Sequence, residues 1–98
     1  MQGPETRLRK KIVEALQKRY PKGYFRKVHG NQFQNIGVPD LLCCVNGRFL
    51  GLEIKLPGKK PTPAQILELQ KIAKAGGVSA VVTSVAEALD KAKEISEN

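Results

Sequence analysis

The chain is predicted to form one α/β domain spanning residues 1–98, with its elements in the order αβββαβα. Three observations predict this. Apolar residues recur at helical spacing within residues 4–19, and Asn46-Gly47 separates two runs of strand-forming residues. Beyond them an apolar run, Val78 to Val82, stands between two stretches that each open on helix-capping residues.

The first helix covers residues 4–19. Pro4 suits its first turn, and Leu8, Ile12, Ala15 and Leu16 make an apolar stripe. Arg7, Arg9, Lys10, Lys11, Lys18 and Arg19 are expected on the remaining, solvated surface, and Pro21-Lys22-Gly23 ends the helix. Tyr24 to Val28 reads as a short strand, and His29-Gly30-Asn31-Gln32 begins a polar loop running to Gly37. Residues 39–45 and 48–56 read as a hairpin, because Asn-Gly tolerates the positive φ angles of a tight two-residue turn. Leu56 to Pro61 is a basic loop. Thr62 then caps a helix with Pro63 at its first position, ending near Ala75 before Gly76-Gly77. Val78 to Val82 is a buried strand, and Ser84 with Glu87 forms a capping box for a last helix to about Ile95. There is no internal repeat, low-complexity tract or linker.

Ninety-eight residues lie near the lower end of what one hydrophobic core can stabilise, and 41% apolar residues argue against disorder. No run of eighteen apolar residues suggests a membrane span, and no apolar segment follows a basic start as in a signal peptide. Cys43 and Cys44 are adjacent, so a strand points them to opposite faces; they read as small buried residues of a reducing, cytoplasmic compartment. The net charge is +8 and unevenly placed: residues 1–60 hold 13 basic and 4 acidic side chains, residues 61–98 hold 4 and 5. A basic excess confined to one part of the chain is the footprint of a polyanion, with affinity dominated by phosphates. A solvated basic face is the plainer reading of the same charges. The helix-one charges lack the aromatic anchors of a membrane-surface helix.

Asp40, Glu53 and Lys55 break the hairpin's alternation. If Asn46-Gly47 is a two-residue turn, Val45 faces Arg48, paired residue numbers sum to 93, and Asp40 lies opposite Glu53 with Lys55 further along that face. Opposed like charges are destabilising, so a divalent cation held by both carboxylates, with a phosphate near the lysine, explains all three. Gly51, on the same face, is expected to leave open space beside Glu53. The other face carries Leu41, Cys43, Val45, Leu50, Leu52 and Ile54, a continuous apolar surface for helices to cover. Glu5 precedes Leu8 and Ile12 by three and seven residues, which turns it inward and within reach of the same metal. An acidic residue in a helix's first turn is equally explained by the helix dipole.

These residues resemble the PD-(D/E)xK nuclease superfamily, with Pro39-Asp40 and Glu53-Ile54-Lys55 as its signature. More narrowly, Gly37-Val38-Pro39-Asp40-Leu41, Glu53-Ile54-Lys55 and Thr62-Pro63-Ala64-Gln65 resemble the virus-type replication-repair nuclease (VRR-NUC) family, from Glu5 to the last strand. The resemblance implies a restriction-endonuclease-like αβββαβ core, a mixed sheet flanked by helices. It implies that Asp40, Glu53 and the Ile54 backbone carbonyl ligate Mg²⁺ or Mn²⁺, with Glu5 completing the shell. Lys55 would orient or activate the attacking water, and Gln65 would support the site. Gln65 also stands where a capping box with Thr62 places it, and both roles can coexist. His29 reads as a loop histidine, because Lys55 already fits the site.

The function implied is metal-dependent hydrolysis of phosphodiester bonds in branched DNA, as a four-way (Holliday) junction resolvase with no organic cofactor. Arg7, Lys10, Lys11, Asn31, Gln32, Lys59 and Lys60 are the candidate DNA contacts, with Gln34 nearby in the same polar loop. So small a chain has no room for a sequence-reading module, so recognition should rest on backbone and shape. Symmetric cutting of two strands needs two sites, hence a homodimer, with the apolar patch Val85, Leu89 and Ala92 as one candidate surface. The alternatives are a flap or single-strand nuclease with the same chemistry, and a DNA-binding protein that keeps the nuclease fold without catalysis. Tyr20, Tyr24, Phe25, Phe33 and Phe49 are too scattered for a base-stacking platform and are expected mostly in the core. A viral or bacterial context is implied.

Overall fold

A computed structural model describes residues 3–28 and 36–97. Its elements are α1 (Pro4–Arg19), β1 (Tyr24–Lys27), β2 (Leu41–Val45), β3 (Arg48–Ile54), α2 (Pro63–Lys74), β4 (Val78–Val82) and α3 (Val85–Ser96). The sheet order is β1-β2-β3-β4, antiparallel across the first two ladders and parallel between β3 and β4. This is the expected α/β order, with a mixed sheet. The β2–β3 register is the expected one, from Val45 opposite Arg48 to Leu41 opposite Leu52. Asn46 and Gly47 take φ angles of 52° and 78°, the mirror-image turn that matches the twist of the strands.

Three strands are shorter than expected. β1 stops at Lys27, although the Val28 N–H still reaches the Asp40 carbonyl at 2.9 Å. β2 begins only at Leu41, since Pro39 has no N–H to donate and the Asp40 carboxylate takes the Ile54 N–H at 2.8 Å, in place of a ladder acceptor. The β3 chain leaves the sheet after Ile54, with the Lys55 N–H still bonded to the Val82 carbonyl.

The apolar face of the hairpin is buried as expected, and α1 and α3 cover it. Leu41, Cys43, Val45, Leu50, Leu52 and Ile54 meet Ile12, Val13 and Leu16 from α1 and Ala88, Ala92 and Ile95 from α3. Each large aliphatic side chain there contributes about 1.5–3 kcal/mol by leaving water. The α1 stripe is shifted by one flank: Val13 is buried, and Leu8 only packs against the core's edge. Ala92 is fully buried and Val85 and Leu89 pack on the core, so the terminal-helix patch proposed for dimerisation is used within the chain. Among the aromatics, Tyr20 and Phe25 pack on the core, whereas Tyr24 (57% exposed) and Phe49 (40%) do not. Phe33 lies outside the described residues. Burial pushes the Cys43 thiol, beside Cys44, up to about 12, so it stays a protonated core group.

α2 lies on the opposite face and has no buried residue of its own. Thr62 and Gln65 form its capping box, and Gly76 and Gly77 close it by donating to the Ala73 and Ile72 carbonyls. At α3 the expected box is half formed. Ser84 accepts from the Glu87 N–H, but the Glu87 carboxylate reaches back to Thr83, whose N–H lies at 2.6 Å. Asn46 and Arg48, at the hairpin's tip, donate to the Ser96 and Glu94 carbonyls at the other end of α3.

Candidate active site

The three sequence motifs meet where β2 and β3 run out. Gly37 sits at φ +81°, and a methyl group there would lie 2.6 Å from the Ala64 carbonyl oxygen. The chain before Asp40 can therefore touch the first turn of α2 only because residue 37 has no side chain. Pro39 then crosses over Gly51. A Cβ on Gly51 would meet Ile72 Cδ1 at 2.6 Å and Pro39 Cγ at 3.3 Å, so the space expected there is filled by α2 and by the motif itself. Gly51 lets Ile72 and Pro39 pack closely rather than leaving an opening.

Past the ladder, Asp40 Oδ2 accepts the Ile54 N–H, and Asp40 Oδ1 lies 3.6 Å from Arg9 Nε. Glu53 is 1% exposed, with Oε2 at 3.5 Å from Lys55 Nζ and with Oε1 buried and lacking any hydrogen-bond partner. Burial first, and then the neighbouring Asp40 carboxylate, push the Glu53 carboxyl up to about 8, with Lys55 partly offsetting both. Glu5 is turned inward but paired with Arg9, Nη2 to Oε1 at 2.8 Å. The row Glu5–Arg9–Asp40–Glu53–Lys55 thus alternates acid and base except where the two strand carboxylates adjoin.

Asp40, Glu53 and Lys55 are brought together as expected, whereas the Ile54 backbone group that meets Asp40 is its N–H rather than the carbonyl. Glu5 joins them through Arg9, and among the described residues no three acidic, histidine or cysteine side chains converge. The side-chain oxygen of Gln65 accepts the Thr62 N–H at 2.8 Å, so the capping role holds, while it is the preceding residue, Ala64, that meets Gly37. Arg7, Lys10, Lys11, Lys59 and Lys60 are exposed. Asn31, Gln32, Gln34 and His29 lie outside the described residues. Arg9 is a site residue that its sequence context hides: on a basic helix it reads as solvated, yet its Nε is buried and lacks a hydrogen-bond partner. The signal was its spacing, four residues after Glu5 and four before the buried Val13.

The donor set fits a hard divalent cation. Two adjoining carboxylates, one with an orphaned buried oxygen and a raised pKa, are the arrangement that Mg²⁺ or Mn²⁺ relieves.

No family profile and no curated protein matches the sequence. Solved structures do. A VRR_NUC domain protein superposes with a TM-score of 0.80 at 19% identity, over 99% of this chain and 92% of that one. Another VRR_NUC domain gives 0.64 at 25% identity, over 86% and 92%. Hjc, a Holliday junction resolvase from the archaeal hyperthermophile Archaeoglobus fulgidus, gives 0.63 at 18% identity, over 81% and 67%. The chain has the fold of the VRR-NUC domains, within the PD-(D/E)xK-like nuclease architecture.

Proposed function

We propose that the chain is a metal-dependent, structure-selective DNA endonuclease that resolves four-way junctions as a homodimer. The observation that carries the chemistry is Glu53, a carboxylate sealed in the sheet with one oxygen unpartnered, beside Asp40 and with Lys55 adjoining. Nothing in the packing requires an acid at that position. Asp40, Glu53 and the Ile54 carbonyl would hold Mg²⁺ or Mn²⁺, with Glu5 available once it leaves Arg9. A cation held there would supply a water of lowered pKa and offset charge on the phosphate. Lys55, 15% exposed and anchored by Glu53, orients the attacking water and donates to a phosphoryl oxygen as negative charge develops. The Ile54 N–H fixes the Asp40 carboxylate in one orientation. Gln65 braces the site from α2, and Lys59 and Lys60 sit on the loop just after the second motif, placed to contact the backbone of the bound strand. The junction substrate rests on the likeness to VRR_NUC domains and on Hjc's being a junction resolvase.

The test is cleavage of a synthetic four-way junction and a 5′ flap, with and without Mg²⁺ or Mn²⁺. Wild-type protein is expected to make paired symmetric nicks in the junction only with metal. Asp40→Asn and Lys55→Met are expected to lose roughly 100-fold or more in rate while still binding DNA. Exclusive flap cutting would replace the junction with the flap substrate. Equal cutting by wild type and both variants, or no cutting with any metal, would remove the catalytic reading altogether.

A further inference from the structure

The guanidinium of Arg9 stands among the groups that the proposed function gives to a metal. Its Nη2 holds Glu5 at 2.8 Å, and its Nε lies 3.6 Å from Asp40 Oδ1, too far for a hydrogen bond. That Nε is buried and has no hydrogen-bond partner. A salt bridge formed for stability alone would close this gap, because an unsatisfied buried donor is costly. Arg9 is instead held between two acids, with one hydrogen bond to Glu5 Oε1 and only a longer ion pair to Asp40 Oδ1. Its position on α1 is set by the buried residues around it, Ile12 and Val13 within one turn.

We propose that Arg9 is the internal counter-ion of the carboxylate pair: it competes with the divalent cation for Asp40 and holds Glu5 away from the metal shell. This rests on the metal centre proposed above. A fixed positive charge a few ångströms from a ligand oxygen lowers the affinity of any cation sharing that oxygen. The same charge helps the next step. Glu5, Asp40 and Glu53 with Arg9 and Lys55 carry a formal −1 when all are ionised; a divalent cation brings the set to +1, complementary to a phosphodiester. Without Arg9 the loaded site would be neutral. Arg9 therefore weakens metal binding by the free protein and favours phosphate binding by the loaded one. It is a positioning residue, acting through Asp40 and Glu5.

The experiment is Mn²⁺ titration of DNA-free protein by calorimetry, paired with the Mn²⁺-induced shift of the melting temperature. Arg9→Gln is expected to bind Mn²⁺ about tenfold tighter than wild type and to show the larger melting shift. Arg9→Lys, which keeps the charge, should stay within about threefold of wild type. Lys18→Gln, which removes a charge at the far end of α1, should leave affinity unchanged. Arg9→Met preserves the packed stem and carries the same expectation if the amide variant does not fold. A neutral Arg9 variant that binds Mn²⁺ equally or more weakly overturns the competition, whereas a loss of melting temperature that is the same with and without Mn²⁺ reduces Arg9 to a structural contact. If neither wild type nor any Arg9 variant binds Mn²⁺, the metal centre itself falls, and the inference falls with it.

Discussion

At the scale of single residues, Glu53 concentrates the tension in this fold. Its carboxyl is pushed from an ordinary 4.5 to about 8, chiefly by burial and then by Asp40. Between those values the folded protein keeps a proton that the unfolded chain has released, so the group opposes folding increasingly as pH rises. Metal-free protein should therefore melt at progressively lower temperature from pH 5 to pH 8 and level off above it. Glu53→Gln should flatten that part of the profile, as followed by thermal unfolding in chelator; an unchanged slope would show that Glu53 is not the group responsible. Asp40, Glu53 and Lys55 were legible in the sequence because the Asn46-Gly47 turn fixes the register on its own. Arg9 was not, because a charged side chain on a basic helix reads as solvated even when its position lies inside the apolar arc. Glu5 pointed inward as its spacing required, but only the structure shows that its first partner is an arginine.

Among the elements, the helices and β4 followed local chemistry closely, while β1, β2 and β3 came out shorter. Both ends of α1 and of β4 fall where proline, glycine and helical or alternating spacing put them. What local chemistry left out is how elements touch. Gly51 reads as an opening in a strand taken alone, yet Ile72 arrives from α2, twenty-one residues later, to fill it. Gly37 reads as a loop glycine, yet it is the contact that brings the Pro39-Asp40 motif against the start of α2. Gly37→Ala should cost roughly 3 kcal/mol, combining an unfavourable positive φ with a clash against the Ala64 backbone. Gly47→Ala has a similar positive φ but nothing within 4 Å, so it should cost only about 1 kcal/mol. Urea unfolding of the two variants separates the terms; equal losses would mean that the α2 contact carries no weight.

For the whole molecule, charge and burial divide the chain differently. The core was legible as a set of apolar residues, but which helix covers which face was not, since both faces of the hairpin offer apolar positions. The Val85, Leu89 and Ala92 patch illustrates this: its residues are apolar because α1 and the sheet need them. Of the basic excess, Lys59 and Lys60 are exposed on the loop that follows Lys55. Replacing both with alanine should reduce the slope of log affinity against log salt by about two for a DNA duplex or junction, as measured by anisotropy titrations. An unchanged slope would take these lysines out of the interface.

α2 buries none of its residues, while Glu53 and Ile54 are buried at the end of β3, paired with β4 on one side and tied to the Asp40 side chain on the other. Local opening costs free energy in proportion to the apolar surface it exposes, so α2 opens far more often than the strands do. The helix that carries Gln65 therefore runs on a faster clock than the strand that carries Glu53. If the proposed junction is the substrate, brief excursions of that helix would admit its branched bulk while the strand that holds Glu53 stays in place.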